Sequence, residues 1–378
     1  MSHLLIAMLV ALTLVLSACA SRPVGRKELQ QAREASAAGH YGQAVTDWGK
    51  AIRSGKLTKQ ELFAAYDNQA YAYYRLGQYR EALKDYGQAL RLNPNNAEIY
   101  TRRGLVYTAL GEYPRAFEDH NHALQLKPNL AAAYGNRGAT YSAQGDYQRA
   151  MEDYDQALHL NPKLAEVYSN RGYTYYRQDQ YQRGLEDYNQ AIRLDPDLAG
   201  VYTRRGLAYK KLLHYQEAIS DFENALRLDP NDAEAYGNRG SVYAAMGQYE
   251  RAIEDYDQAL RLNPNAVEVL SNRGVAYQFL GQTQQAITSY DQAISLNPNY
   301  AIAYNNRGYA YHTLGQYPQA LENYDQAIRL DPQLVTAYSN RGRTYASSGQ
   351  SERANEDFSK AQSLLDEKWR SRQQSQAE

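Results

Sequence analysis

A 34-residue beat constrains this chain more than any other feature. Pro94, Pro128, Pro162, Pro196, Pro230, Pro264, Pro298 and Pro332 are eight of its eleven prolines, and each follows the last by 34 residues with no insertion. Ala89, Ala123, Ala157, Ala191, Ala225, Ala259, Ala293, Ala327 and Ala361 keep the same step, and so do the tyrosines from Tyr73 through Tyr107 and Tyr141 to Tyr345. A fixed period of this length marks an array in which each unit buries its apolar face only against its neighbours. At 378 residues the chain exceeds the size at which one compact core stops growing, and growth in one dimension answers that limit.

Residues 233–266 explain the columns. Tyr236, Gly240 and Tyr243 follow i, i+4, i+7 spacing, one face of an α-helix. Gly240 carries no side chain, so a second helix can approach closely. Met246-Gly247-Gln248 ends the first helix, with Gly247 free to take a left-handed C-cap. Ala252, Tyr256 and Ala259 repeat the spacing on a second helix, small residues nesting and the ring filling the gap. Asn263-Pro264 then stops that helix, because proline disfavours a helical residue before it and cannot continue the ladder.

The run Ala235-Tyr236-Gly237-Asn238-Arg239-Gly240, followed by Tyr243, Gly247, Tyr249, Ala252, Tyr256, Ala259 and Pro264, resembles the tetratricopeptide repeat (TPR). The resemblance covers 63–368 as nine units, with a degenerate unit over 27–62 carried by Gly39, Tyr41, Ala44, Trp48 and Ala51. It implies an all-α solenoid of helix-turn-helix units in a right-handed superhelix, with the first helices lining a concave groove. Ends of such arrays need polar caps. Ser351–Glu378 supplies one in Arg353, Glu356, Asp357, Lys360, Asp366, Glu367 and Lys368, and 369–378 reads as a polar tail.

The N-terminus has a different character. Leu4 to Leu16 is an almost unbroken apolar run, shorter than the roughly 20 residues a spanning helix needs and suited to a signal peptide over 1–18. Leu16-Ser17-Ala18-Cys19 resembles the bacterial lipobox, which implies lipidation of Cys19 with three acyl chains, a durable anchor. The plainer alternative is a chance cysteine beside an ordinary secretory cleavage site. Ala20 in place of Asp implies, by the same resemblance, the outer membrane facing the periplasm. Residues 19–26 read as lipidated Cys and tether, Ala20–Arg26 reaching about 24 Å if extended. With one Cys in the chain, no intramolecular disulfide or cysteine zinc cluster forms.

A helical wheel then places candidate contacts. With Tyr236 at zero, Asn238 falls at about 200°, away from the packing face. Its column reads Asn68, Arg102, Asn136, Asn170, Arg204, Asn238, Asn272, Asn306 and Asn340. An amide both donates and accepts, so such a ladder can pair with an extended peptide backbone, as in the similar groove of O-linked GlcNAc transferase. The alternative is that each Asn bonds the backbone of a neighbouring repeat. Tyr71, Tyr74 and Arg75 recur as Tyr173, Tyr176 and Arg177, and Tyr and Arg are common interface anchors. Arg177, Arg204 and Lys210 form a candidate contact for an acidic or C-terminal carboxylate group, or else ordinary solvated charge. The first-helix Lys and Asn of the chaperone-tail carboxylate clamp are replaced by residues such as Thr101, Ser169 and Ser271. A third column, Arg103 to Arg341, is expected to pair with the Asp column 16 residues on, imperfectly at Arg273 and Arg307, where Ser289 and Asn323 replace Asp.

Lys and Arg total 41 against 42 Asp and Glu, a balance unlike the basic footprint of a nucleic-acid binder. His120 and His122 stand two apart and share no helical face. No phosphate loop, nucleophile set or metal set is present, so no enzyme activity, cofactor or metal is expected. The expectation is a membrane-anchored periplasmic scaffold whose partners are envelope proteins or peptides. A module binding peptidoglycan or lipopolysaccharide sugars is the alternative.

Overall fold

A computed structural model describes residues 23–377; the expected signal segment 1–18 and Cys19 lie outside them. The described residues form twenty helices and no strand. By their contacts the chain divides into two compact units, residues 1–174 and 175–378.

The first unit holds α1 (Pro23–Ala37), α2 (Tyr41–Arg53), α3 (Lys59–Arg75), α4 (Tyr79–Leu92), α5 (Ala97–Ala109), α6 (Tyr113–Leu126), α7 (Ala131–Gln144), α8 (Tyr147–Leu160) and most of α9 (Ala165–Arg177). The second holds α10 (Tyr181–Leu194), α11 (Ala199–Lys211), α12 (Tyr215–Leu228), α13 (Ala233–Ala245), α14 (Tyr249–Leu262), α15 (Val267–Phe279), α16 (Thr283–Leu296), α17 (Ala301–Thr313), α18 (Tyr317–Leu330), α19 (Val335–Ser347) and α20 (Ser351–Ala377). Pro23–Arg26, read as tether, belong to α1, and α20 continues through the segment read as a tail. No helix among the described residues is long and apolar enough to cross a membrane.

Local chemistry sets each boundary. Asp232 caps α13 by accepting from the Ala235 amide at 2.9 Å, satisfying one of the orphan donors at a helix start. At its far end Gly247 has φ +76°, and the Gln248 amide reaches back to the Tyr243 carbonyl at 2.9 Å, a Schellman closure. The equivalent turn residue after α9 is Asp179 at φ 59°, and after α11 it is Leu213 at φ 62°. These two positions take the left-handed conformation without glycine.

The core is a row of ring slots on the second helices. Tyr86, His120, Tyr154, Tyr188, Phe222, Tyr256, Tyr290 and Tyr324 step by 34 residues, and none is more than 1 % exposed. Burying one such ring contributes roughly 1.5–3 kcal/mol. Each ring lies against the first helix of its pair. A Cβ on Gly240 would stand 3.0 Å from both the Tyr256 ring and the Ala252 carbonyl, so glycine is what permits this approach. Trp48 fills the slot in the degenerate pair, its Nε1 donating to Ser36 Oγ at 3.0 Å.

In the first unit α3 touches α5 and α5 touches α7, and in the second unit consecutive first helices from α11 to α19 touch, while among the described residues no such contact joins consecutive second helices inside either unit. First helices therefore crowd and second helices splay, which makes the first-helix side the concave one.

Candidate peptide-binding surface

The Arg column braces this framework. Arg205 donates from Nε and Nη2 to the two carboxylate oxygens of Asp221 at 2.8 and 2.6 Å, and from Nη1 to Asn189 Oδ1 at 2.6 Å. One guanidinium thus ties α11 to its own second helix and to the second helix before it. Arg137 and Arg341 repeat the arrangement, with Asp153 and Asn121, and with Asp357 and Asp325. Arg103 and Arg239 make the bidentate pair with Asp119 and Asp255. The expected gaps are filled. Arg273 donates to Ser289 and pairs with Asp257, and Arg307 donates to Asn323 and pairs with Asp291. Tyrosines flank the cation, as Tyr202 and Tyr209 do at Arg205, with centroids 5.6 and 5.9 Å from the guanidinium carbon. Burial pushes the Asp221 carboxyl up, and Arg205 opposes that.

With the first helices so fixed, their concave faces can be followed residue by residue. In the first unit α3, α5, α7 and α9 together line a recess of about 240 Å³. Tyr71 and Tyr74 come from α3, with Tyr86 of α4 behind them. Thr101, Arg102 and Leu105 come from α5, Asn136 from α7 and Glu166 from α9. Tyr71 is 41 % exposed, and Arg75 fixes it by donating to its hydroxyl at 3.0 Å and to that of Tyr41 at 2.7 Å. The charges are mostly spent. Arg102 is held on Asp67 at 2.5 Å, and Glu98 on Lys127 at 2.8 Å. Burial raises the Tyr74 hydroxyl above its ordinary range. The result is an aromatic-walled recess with hydrogen-bonding groups at its rim.

The amide column is not uniform. Asn136, Asn238 and Asn272 make no side-chain hydrogen bond among the described residues. Asn68 donates to the Ala64 carbonyl of its own helix at 2.7 Å. Asn340 donates to Asn305 Oδ1, and Asn305 donates to Asn306 Oδ1, each at 3.0 Å. Asn340 is thus turned to a side chain, not the backbone, of the neighbouring repeat, Asn306 is bonded within its own helix, and Arg102 is likewise turned toward a neighbouring first helix. Asn170 and Arg204 are half-buried, Tyr173 and Arg177 exposed, and each has interactions of its own. Tyr176 packs against Tyr181 with centroids 5.4 Å apart. Lys210 donates to Ser241 Oγ at 2.7 Å, and burial, then Lys211, lowers its ammonium pKa. That lysine is committed within its unit rather than presented to an anion. Sequence reasoning missed Tyr86, Thr101 and Glu166 as lining residues, because a wheel of one helix does not tell which side chains of its neighbours converge with it.

Family-level comparison matches the TPR repeat over 70–111, 104–145, 140–179, 240–281, 279–315 and 308–349. Further tetratricopeptide repeat matches cover 172–235, 222–254 and 335–364. The chain belongs to the tetratricopeptide repeat family. It is a TPR scaffold, a protein-interaction repeat fold. Among solved structures, Pseudomonas aeruginosa pilF is 22 % identical with TM-score 0.50, covering 55 % of this chain and 94 % of its own. A monomeric mutant of IFIT1 is 17 % identical with TM-score 0.56, covering 88 % of this chain and 79 % of its own. Both likenesses are of fold. YrrB, titled a TPR protein with an unusual peptide-binding site, is 27 % identical with TM-score 0.42, covering 49 % and 95 %. No curated protein matches the chain.

Proposed function

We propose that this TPR chain is a lipid-anchored scaffold of the bacterial cell envelope that captures an extended segment of an envelope protein on its first helices. The observation that carries the reading is the recess at Tyr71, Tyr74 and Asn136, lined by side chains from four consecutive first helices. Aromatic walls bind side chains with little loss of rotamer freedom, and the Asn136 amide offers a donor and an acceptor to a peptide bond. The lipobox-like Leu16-Ser17-Ala18-Cys19 supports the anchor, which would hold the N-terminal end of the array beside the membrane, in the outer membrane facing the periplasm.

The test is a crosslinked pull-down from intact cells, wild type against Tyr71→Ala/Asn136→Ala, with partners identified by mass spectrometry. An envelope protein should be lost by at least tenfold in the variant, equivalent to about 1.4 kcal/mol or more, with helicity unchanged. Identical partner lists would end the assignment of this recess.

A further inference from the structure

The arginine brace is missing between α3 and α4. Sixteen residues before Asp85, where the following units carry Arg103, Arg137 and Arg205, stands Gln69. Gln69 does not substitute for the cation. Its Nε2 turns to the Val45 carbonyl at 2.9 Å. Asp85 is nonetheless as buried as its counterparts, 7 % exposed, and its Oδ2 is buried with no hydrogen-bond partner. The preceding second helix is altered too. Gly49 stands where later units carry residues such as Asn121, Asp155 or Asp257, and in place of such a side chain the Arg53 guanidinium and Gln69 Nε2 each lie 3.1 Å from where its Cβ would stand. Between these changes a recess of about 210 Å³ opens onto Asp85.

We propose that this recess is a docking slot for the guanidinium of an arginine on a partner protein, which completes from outside the arginine–aspartate brace that later units make within the chain. The template is internal to the molecule. At Arg103, Arg137, Arg205, Arg239 and Arg341 the same buried carboxylate receives Nε and Nη2 side by side. A planar fork of donors fits such a carboxylate in two parallel bonds, whereas an ammonium meets it as a point charge. The recess offers Ile52 and Tyr73 as walls for the methylenes and the guanidinium plane, and tyrosine beside the cation is how the internal pairs are built. The charged groups around it are Arg53 from α2, with Glu81 and Lys84 from α4. Neither resident cation is bonded to Asp85 Oδ2. Burial holds the carboxyl at about 6, with Lys84 acting against it at a distance. An unpaired acid kept buried in an open slot is a costly arrangement for a fold to retain, and a cation from outside relieves it.

The experiment titrates the full chain with N-acetyl-arginine amide and N-acetyl-lysine amide, following the Asp85 side-chain carboxyl by NMR. The arginine probe should bind, lower the Asp85 pKa and outcompete the lysine probe. Asp85→Asn, isosteric and already represented in the column by Asn323, should weaken binding at least tenfold. Gln69→Arg should fill the slot from within, abolish probe binding and raise the melting temperature. Absent arginine binding, equal binding to Asp85→Asn, or equal binding of both probes would each overturn the proposal. So would a rise of the Asp85 pKa in Arg53→Ala, which would mean that Arg53 already closes the slot.

Discussion

Arg205→Ala should destabilise the second unit by about 3 kcal/mol at pH 7, the scale for removing one member of a buried ion pair. The side chains of Arg205 and Asp221 are only 18 % and 4 % exposed. Alanine would leave the Asp221 carboxylate buried without either of its two donors, and Asn189 would lose its contact as well. Burial already pushes that carboxyl up against the pull of the guanidinium, so without Arg205 it would take up a proton. A carboxyl whose folded pKa exceeds its unfolded value costs stability increasingly as pH rises above the unfolded value. The deficit of the variant should therefore be smaller at pH 5 than at pH 7. Urea unfolding at the two pH values measures both effects. A loss below about 1 kcal/mol at pH 7 would place the brace among the solvated surface pairs.

Mild acid should loosen the first unit through His120. This histidine occupies a ring slot otherwise held by tyrosine, phenylalanine or tryptophan and is fully buried. Its Nε2 lies 3.2 Å from Thr140 Oγ1, while Nδ1 is buried without a partner. Burial, then Arg137, lowers its pKa from 6.5 to about 3. The folded chain keeps the ring neutral, whereas the unfolded chain protonates it below about 6.5. Its contribution is therefore complete above that pH and drains away as pH falls toward 3. Linkage gives a loss of about 2 kcal/mol by pH 5. Asp85, with its pKa raised to about 6, acts in the opposite sense, so the quantity to follow is the difference between wild type and His120→Tyr. The gap in stability between them should shift by about 2 kcal/mol from pH 7 to pH 5, in favour of tyrosine. A gap independent of pH would mean that the imidazole is already reached by water.

The helix pairs were legible because punctuation and packing share one period. Pro264 ends a helix, Gly247 turns the chain, and Gly240 and Tyr256 must meet across the pair, so each column restates the same geometry. The pairing of Arg205 with Asp221 was legible for that reason. Its second contact, to Asn189, was not, although Asn121, Asp155, Asn189 and Asp257 form a visible column of their own. Pattern reading treated one helix pair at a time, and the guanidinium spans three helices. The same limit hid Arg102 on Asp67 and Asn340 on Asn305. Both join residues 35 apart, a lateral spacing that exists only once two first helices lie side by side. A wheel places Asn340 away from the packing face and cannot say that Asn305 is waiting there.

The left-handed turns at Asp179 and Leu213 have a consequence for how such an array yields. In a nearest-neighbour chain the whole is as strong as its weakest joint. A non-glycine residue in this conformation costs roughly 1–2 kcal/mol, and Leu213 bears it with 68 % of its surface in water. The two strained hinges are consecutive, so the molecule has a built-in fault line. Under tension or in the presence of a protease the first breach belongs at 179–213, ahead of the joints turned on glycine.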